Sequence, residues 1–197
     1  MARTSRSPDT PARLSKAERA WLLKSATYAS VLVACSLVFG KVWAWQATDS
    51  VSILSSLADS VLDVLASLLT FWAIRYSLEP PDREHRFGHG KSEGLAALLQ
   101  ALIICGSGVF VCYEAIQRLM APAPIAKPGA GIAVLAASTL ATVALVFYQH
   151  YVKRKTGSLA ISADAMHYKT DVLANVVGAA AVAGTAMPGR CWLDPPV

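Results

Sequence analysis

The chain has 197 residues, 54% of them hydrophobic and only 16% charged, against roughly 25% charged in an ordinary soluble domain. With a mean hydropathy of +0.43, this composition argues against a soluble enzyme, a disordered chain and a nucleic-acid-binding domain. The net charge of +5 does not restore the last of these, because the basic residues sit between apolar blocks and form no single face.

From the N-terminus, residues 1–25 form a basic tail carrying Arg3, Arg6, Arg13, Lys16, Arg19 and Lys24. Its sequence predicts disorder up to Leu14 and a short amphipathic helix from there to Leu23, lying on a membrane surface. The apolar block behind it is too long, and too far from the start, for a typical signal peptide. Crossing a hydrocarbon core takes about 20 apolar helical residues. Five stretches meet that length, at about 26–47, 51–74, 92–118, 128–151 and 158–187. The predicted fold class is therefore all-α, a polytopic transmembrane helix bundle. Beyond the fifth span, Trp192 and the Pro195-Pro196 pair read as an interfacial anchor and a helix start. A sixth span is expected to begin there without being completed, and a C-terminal cytoplasmic domain is expected to be absent.

Lys and Arg in the loops set the orientation. The tail, Arg75 to Lys91, and Lys153 to Lys155 hold thirteen basic residues on one side; Arg118, Lys127 and Arg190 make three on the other. This split places the N-terminus in the cytoplasm. Lys41 and Lys169 lie within spans, and Lys169 points away from the His167/Asp171 face. The cysteines Cys35, Cys105, Cys112 and Cys191 form no CxxC pair and read as buried small hydrophobes. Small residues around Gly106 and Gly108 and in the Gly178 to Gly184 run suit close helix packing.

A charge at mid-bilayer costs at least ~2.5–3.5 kcal/mol on the insertion scale, so Asp59 and Asp63 in the second span need a reason. They are four residues apart and share a helix face. A bound cation converts their repulsion into attraction. His167 and Asp171 repeat the spacing in the fifth span. At 1.5 Å per residue both pairs lie roughly 12–20 Å from the start of their spans, so helix packing can join them near the midplane. Three carboxylates and an imidazole suit Zn²⁺, and Fe²⁺, Mn²⁺, Co²⁺ or Cd²⁺ also fit. The alternatives are two polar pairs that tie helices by hydrogen bonds, or a proton relay without metal. Asp164, three residues before His167, reads first as a cap for the fifth helix, with a gate or outer ligand as the other choice. In the loop after the second span, Asp82, His85 and His89 are spaced i, i+3, i+7. Spacing alone leaves a second metal site and a solvated polar loop equally open. His150 reads as an interfacial residue.

These residues carry a family resemblance. The segments from Ser50 through Asp59 to Asp63, Arg75-Tyr-Ser-Leu, His85-Arg-Phe-Gly-His-Gly-Lys-Ser-Glu93 and His167-Tyr-Lys-Thr-Asp171 resemble the cation diffusion facilitators, close to their bacterial ferrous-iron and zinc efflux (FieF-like) branch. The match runs in order from about Ala26 onward, and DxxxD, HxFGHGKxE and HxxxD together are highly specific. The resemblance implies a six-span metal/proton antiporter of the inner membrane that works as a homodimer and is not an enzyme. Its partners are divalent metal ions, protons and the bilayer, with no nucleic acid and no prosthetic group. It also implies a transport site at Asp59, Asp63, His167 and Asp171 and a second zinc site at Asp82, His85 and His89. Competing expectations are a non-transporting, truncated metal-binding subunit and a membrane-embedded zinc hydrolase. The hydrolase is disfavoured by the lack of an HExxH motif and of a spare Glu near His167.

Overall fold

The computed structural model describes residues 14–48, 51–120 and 128–185, and these form five α-helices and no strands. They are α1 (Lys16–Thr48), α2 (Val51–Ser77), α3 (Lys91–Met120), α4 (Pro128–Thr156) and α5 (Leu159–Thr185). At 1.5 Å per residue even the shortest is about 40 Å long, more than the ~30 Å of a hydrocarbon core. Among the described residues, Lys16–Gln46 and Lys91–Phe110 are long and apolar enough to cross a membrane by length and composition. The expected sixth-span entry, Cys191 and Trp192 lie outside the described residues.

Local chemistry sets the helix ends. Ser15 and Glu18 form a reciprocal capping box: the Ser15 amide donates to Glu18 Oε2 at 2.8 Å and the Glu18 amide to Ser15 Oγ at 3.2 Å. This cap starts α1 ten residues before the expected first span, and no separate surface helix forms. The helix runs unbroken from Lys16, with Leu22, Leu23 and Ala26 buried in the core. At the other junction Gly157 adopts φ +67°, and its amide closes α4 onto the Lys153 carbonyl at 2.8 Å. Ser158 then caps α5, its Oγ accepting from the Ile161 amide at 3.3 Å. The cap expected at Asp164 is thus supplied six residues earlier.

The ends of α2 and α4 and the starts of α1, α3 and α5 meet at one end of the bundle. Leu22, Leu23, Ala26, Ile74, Ala96, Val152, Ala160 and Ile161 form the apolar core there. Glu93 is the polar hub of this end. It receives hydrogen bonds from Ser158 (2.5 Å) and Ser77 (3.4 Å) and pairs with Arg19 at 3.6 Å, while Arg19 also reaches the Thr156 carbonyl.

Polarity runs inside out. Trp21, Leu32, Phe39, Trp43, Trp72, Leu102, Val109, Leu140 and Phe147 are exposed, whereas Thr27, Ser30, Ser67, Thr70, Gln100, Gln149, Asp164 and His167 are buried. A bundle surrounded by lipid tolerates that pattern; one in water would expose a large apolar surface. Cys35, Cys105 and Cys112 are free thiols as expected, but Cys105 and Cys112 are exposed on the apolar surface and Cys35 is half-buried. The expectation of burial fails because these residues share helix faces with the outward apolar side chains.

Asp164 is the most connected buried group. It is fully buried, and its carboxylate collects one donor from each of the other four helices. Oδ2 accepts from Ser30 Oγ of α1 and Gln149 Nε2 of α4, both at 2.6 Å. Oδ1 accepts from Gln100 Nε2 of α3 at 3.1 Å and Thr70 Oγ1 of α2 at 3.5 Å. Ser67 extends the network, contacting Ser30 Oγ at 3.2 Å and the Tyr168 hydroxyl at 2.6 Å. Removing the acceptor strands several buried donors at once. Asp164→Ala is expected to destabilise the bundle by about 3 kcal/mol or more, and Asp164→Asn by less. Thermal melting of the detergent-solubilised variants measures both.

Candidate metal centre

The site lies between α2 and α5. The i,i+4 spacing sets Asp59 and Asp63 on one side of α2 and His167 and Asp171 on one side of α5, one turn apart in each case. Packing of the two helices brings His167 Nε2 to 3.1 Å from Asp63 Oδ1. The same nitrogen is 3.9 Å from Asp171 Oδ2. One ligand atom from each of Asp63, His167 and Asp171 lies within 4.8 Å of the others. Tetrahedral zinc with ~2.0–2.1 Å bonds needs its ligands roughly 3.3 Å apart, so small side-chain movements close the group on an ion.

Burial supports a cationic occupant. His167 is buried, Asp63 and Asp171 are half-buried, and Asp171 Oδ2 has no hydrogen-bond donor. A buried carboxylate oxygen without a donor is costly unless a cation serves it. Asp59, the fourth expected ligand, is not part of this cluster; it lies one turn earlier on α2 and is exposed. Lys169 is exposed, as expected for a residue off the His167 face, and so is His150.

A second cluster is built by the loop between α2 and α3. Here Asp82, His85 and His89 also bring three ligand atoms within 4.8 Å. Asp82 Oδ1 accepts from the backbone amides of His85 (2.5 Å) and Glu84 (3.0 Å), which folds the loop back on itself. Gly88, at φ +79°, takes a left-handed conformation that suits glycine and lets the chain reverse toward α3. His85 Nδ1 then lies 3.3 Å from Asp82 Oδ1, and His89 Nε2 lies 3.4 Å from Oδ2. The two imidazole centroids are 4.6 Å apart, and Tyr76 packs edge-on to His89 at 4.4 Å. His89 is buried with its Nδ1 unpartnered, while Asp82 and His85 are exposed. This cluster therefore opens outward, unlike the one between α2 and α5.

The backbone amide of His85 holds the Asp82 carboxyl below its ordinary 3.8 against the opposing pull of desolvation, helped by the His85 ring, the Glu84 amide and His89. A carboxyl with a lowered value supports the folded loop while ionised and stops doing so as pH falls through that value. The His85 amide is expected to stay protected from hydrogen exchange at neutral pH and to lose protection only below pH 3.8. Asp82→Ala is expected to lose it at every pH.

Several polar partners at these sites have no motif of their own. Gln100 and Gln149 are the detectable signal for the Asp164 network, as polar amides inside otherwise charge-free spans. Glu93 is visible only as the last residue of the loop motif. Lys41, whose Nζ donates to Ser60 Oγ at 2.6 Å, gives no spacing signal, because its partner lies on another helix.

Residues 27–196 match the family profile described as the cation efflux transmembrane domain. The chain is also similar to the "Cation-efflux pump FieF" of Salmonella choleraesuis (strain SC-B67), with 46% identity over 154 residues. The proteins of the same name from Salmonella arizonae and Salmonella newport match at the same 46%. Each alignment covers 78% of this chain and 51% of the relative, so the chain spans about half the length of the curated relatives it matches.

Proposed function

The chain belongs to the cation efflux transmembrane domain family, a family of transporters and not of enzymes, and we propose that it carries a divalent metal ion out of the cytoplasm in exchange for protons. The metal is cargo. Zn²⁺ is the first candidate, because the donor set is imidazole and carboxylate with no thiolate among the clustered residues; Fe²⁺, Cd²⁺, Co²⁺ and Mn²⁺ use the same donors. Asp63, His167 and Asp171 hold the ion, and Asp59 joins as the fourth ligand by rotating inward from the adjacent turn of α2. The membrane is the inner membrane, with the N-terminus cytoplasmic. The basic segments that support this orientation flank the helix ends tied together by Glu93. The working unit is a homodimer.

One observation carries the proposal. His167 Nε2 faces both Asp63 and Asp171, and the hydrogen bond to an ionised Asp63 needs a proton on that nitrogen. Metal coordination needs the same nitrogen deprotonated. A proton and a metal ion therefore exclude each other at one atom, and imidazole exchanges protons near neutral pH. Metal entering from the cytoplasm displaces the proton. After the helices rearrange to open outward, the more acidic exterior returns the proton and releases the metal. No covalent bond is made or broken. The Asp82–His85–His89 loop binds a second ion at the cytoplasmic surface and passes metal toward the bundle.

Two outcomes follow. In inverted vesicles, Asp63→Ala or His167→Ala is expected to reduce Zn²⁺ uptake at least ~100-fold, on the scale set by loss of a metal ligand or its support, while membrane insertion is unchanged. Collapsing the pH gradient is expected to stop uptake by the unmutated chain. Full uptake by both variants removes the transport-site assignment, and uptake indifferent to the gradient removes proton coupling.

A further inference from the structure

We infer that Lys41 is a built-in counter-cation of the transport site, a specificity-determining residue that fixes the charge the site presents to its cargo at two. The inference rests on the transport-site reading above and adds a fifth residue to it, from a helix that supplies none of the ligands.

Lys41 lies on α1, deep in a helix whose apolar side chains face outward, at a position where an ammonium requires a partner. Its Nζ donates to Ser60 Oγ at 2.6 Å. Ser60 is fully buried. It precedes Asp63 by three residues on α2, so the hydroxyl holds the ammonium on the side of the helix that carries Asp63. Asp63, Asp59 and Asp171 all act on Lys41 electrostatically. Lys41 itself is half-buried.

Charge counting gives this placement a consequence. Among the groups assigned to the ion, with His167 neutral, Asp59, Asp63 and Asp171 carry three negative charges and Lys41 one positive charge; Asp164 stands apart, its charge met by the four donors that surround it. The remainder is two, which one divalent ion neutralises. Without Lys41 the same ion leaves an uncompensated negative charge in a low-dielectric site, which strengthens its binding and slows its release. A transporter must bind its cargo and also let it go. The tethered ammonium weakens binding by repulsion without occupying a ligand position.

The test is Zn²⁺ binding in detergent by the full chain carrying Asp82→Ala, which takes the loop cluster out of the readout and serves as the reference for every variant, followed by uptake into vesicles. Lys41→Met is expected to tighten Zn²⁺ binding about tenfold or more, because a fixed positive charge repels a bound cation and a half-buried site screens that repulsion weakly. Half-saturation of uptake and its maximal rate are both expected to fall. Lys41→Arg keeps the charge and is expected to stay within about threefold of that reference, since the fixed charge and not the side-chain type sets the repulsion. Lys41→Gln preserves a donor for Ser60 and is expected to match Lys41→Met; it serves in place of Lys41→Met if that variant does not insert. Unchanged or weaker Zn²⁺ binding in the neutral variants, with binding abolished in Asp63→Ala, overturns the role given to Lys41. Undiminished binding in Asp63→Ala instead overturns the transport site itself.

Discussion

A single carboxylate, buried at the centre of five helices, organises the bundle. Asp164 draws a hydroxyl from Ser30 and another from Thr70, and an amide from each of Gln100 and Gln149. Each donor comes from a different helix, and α5 supplies the acceptor. Hydrogen bonds to an ionised acceptor are roughly twice as strong as neutral ones. In a bundle with little water inside, a donor left unpaired has no cheap substitute. Sideways displacement of any one helix therefore breaks a bond to this carboxylate. Apolar packing between helices in lipid lacks that specificity, because lipid tails solvate leucine as well as another leucine does.

The candidate metal centre depends on the same constraint. His167 follows Asp164 by three residues on α5, close to one turn, so fixing Asp164 against α1–α4 also fixes the direction in which His167 reaches α2. Thr70 does the corresponding work on α2, two turns from Asp63. With both helices held, a nitrogen and two carboxylates meet in a group small enough for one ion. Below this region, Glu93 ties Arg19, Ser77 and Ser158 where the helix ends converge. The bundle thus has two polar fastenings at different depths. One is sealed in the core; the other lies beside the exposed loop that carries Asp82, His85 and His89.

The local contacts explain why some expectations transfer directly and others change. The helices follow from runs of apolar residues and from caps that are readable one by one, such as Ser15 with Glu18 and Ser158 with Ile161. The pairs Asp63 with Asp59 and Asp171 with His167 are legible because helix periodicity makes i and i+4 neighbours. Asp164 misleads as a cap because it is a good capping residue near a helix start, and nothing local says that Ser158 already fills that role. The cysteines mislead for a related reason. An apolar setting in sequence means burial in a soluble protein, whereas here the apolar faces turn outward.

The sequence by itself determined the all-helical class, the approximate positions of the five helices, the clustering of basic residues at alternate loops and the residue types that can hold a cation. All of these depend on periodicity, capping or composition over short stretches. Only the tertiary structure decided which helix faces meet. That choice places Asp63 beside His167, leaves Asp59 a turn away, gathers four donors on Asp164 and lays Lys41 against Ser60. These contacts join residues 19 to 134 positions apart, and no local pattern encodes them, because their energies exist only once the helices have packed.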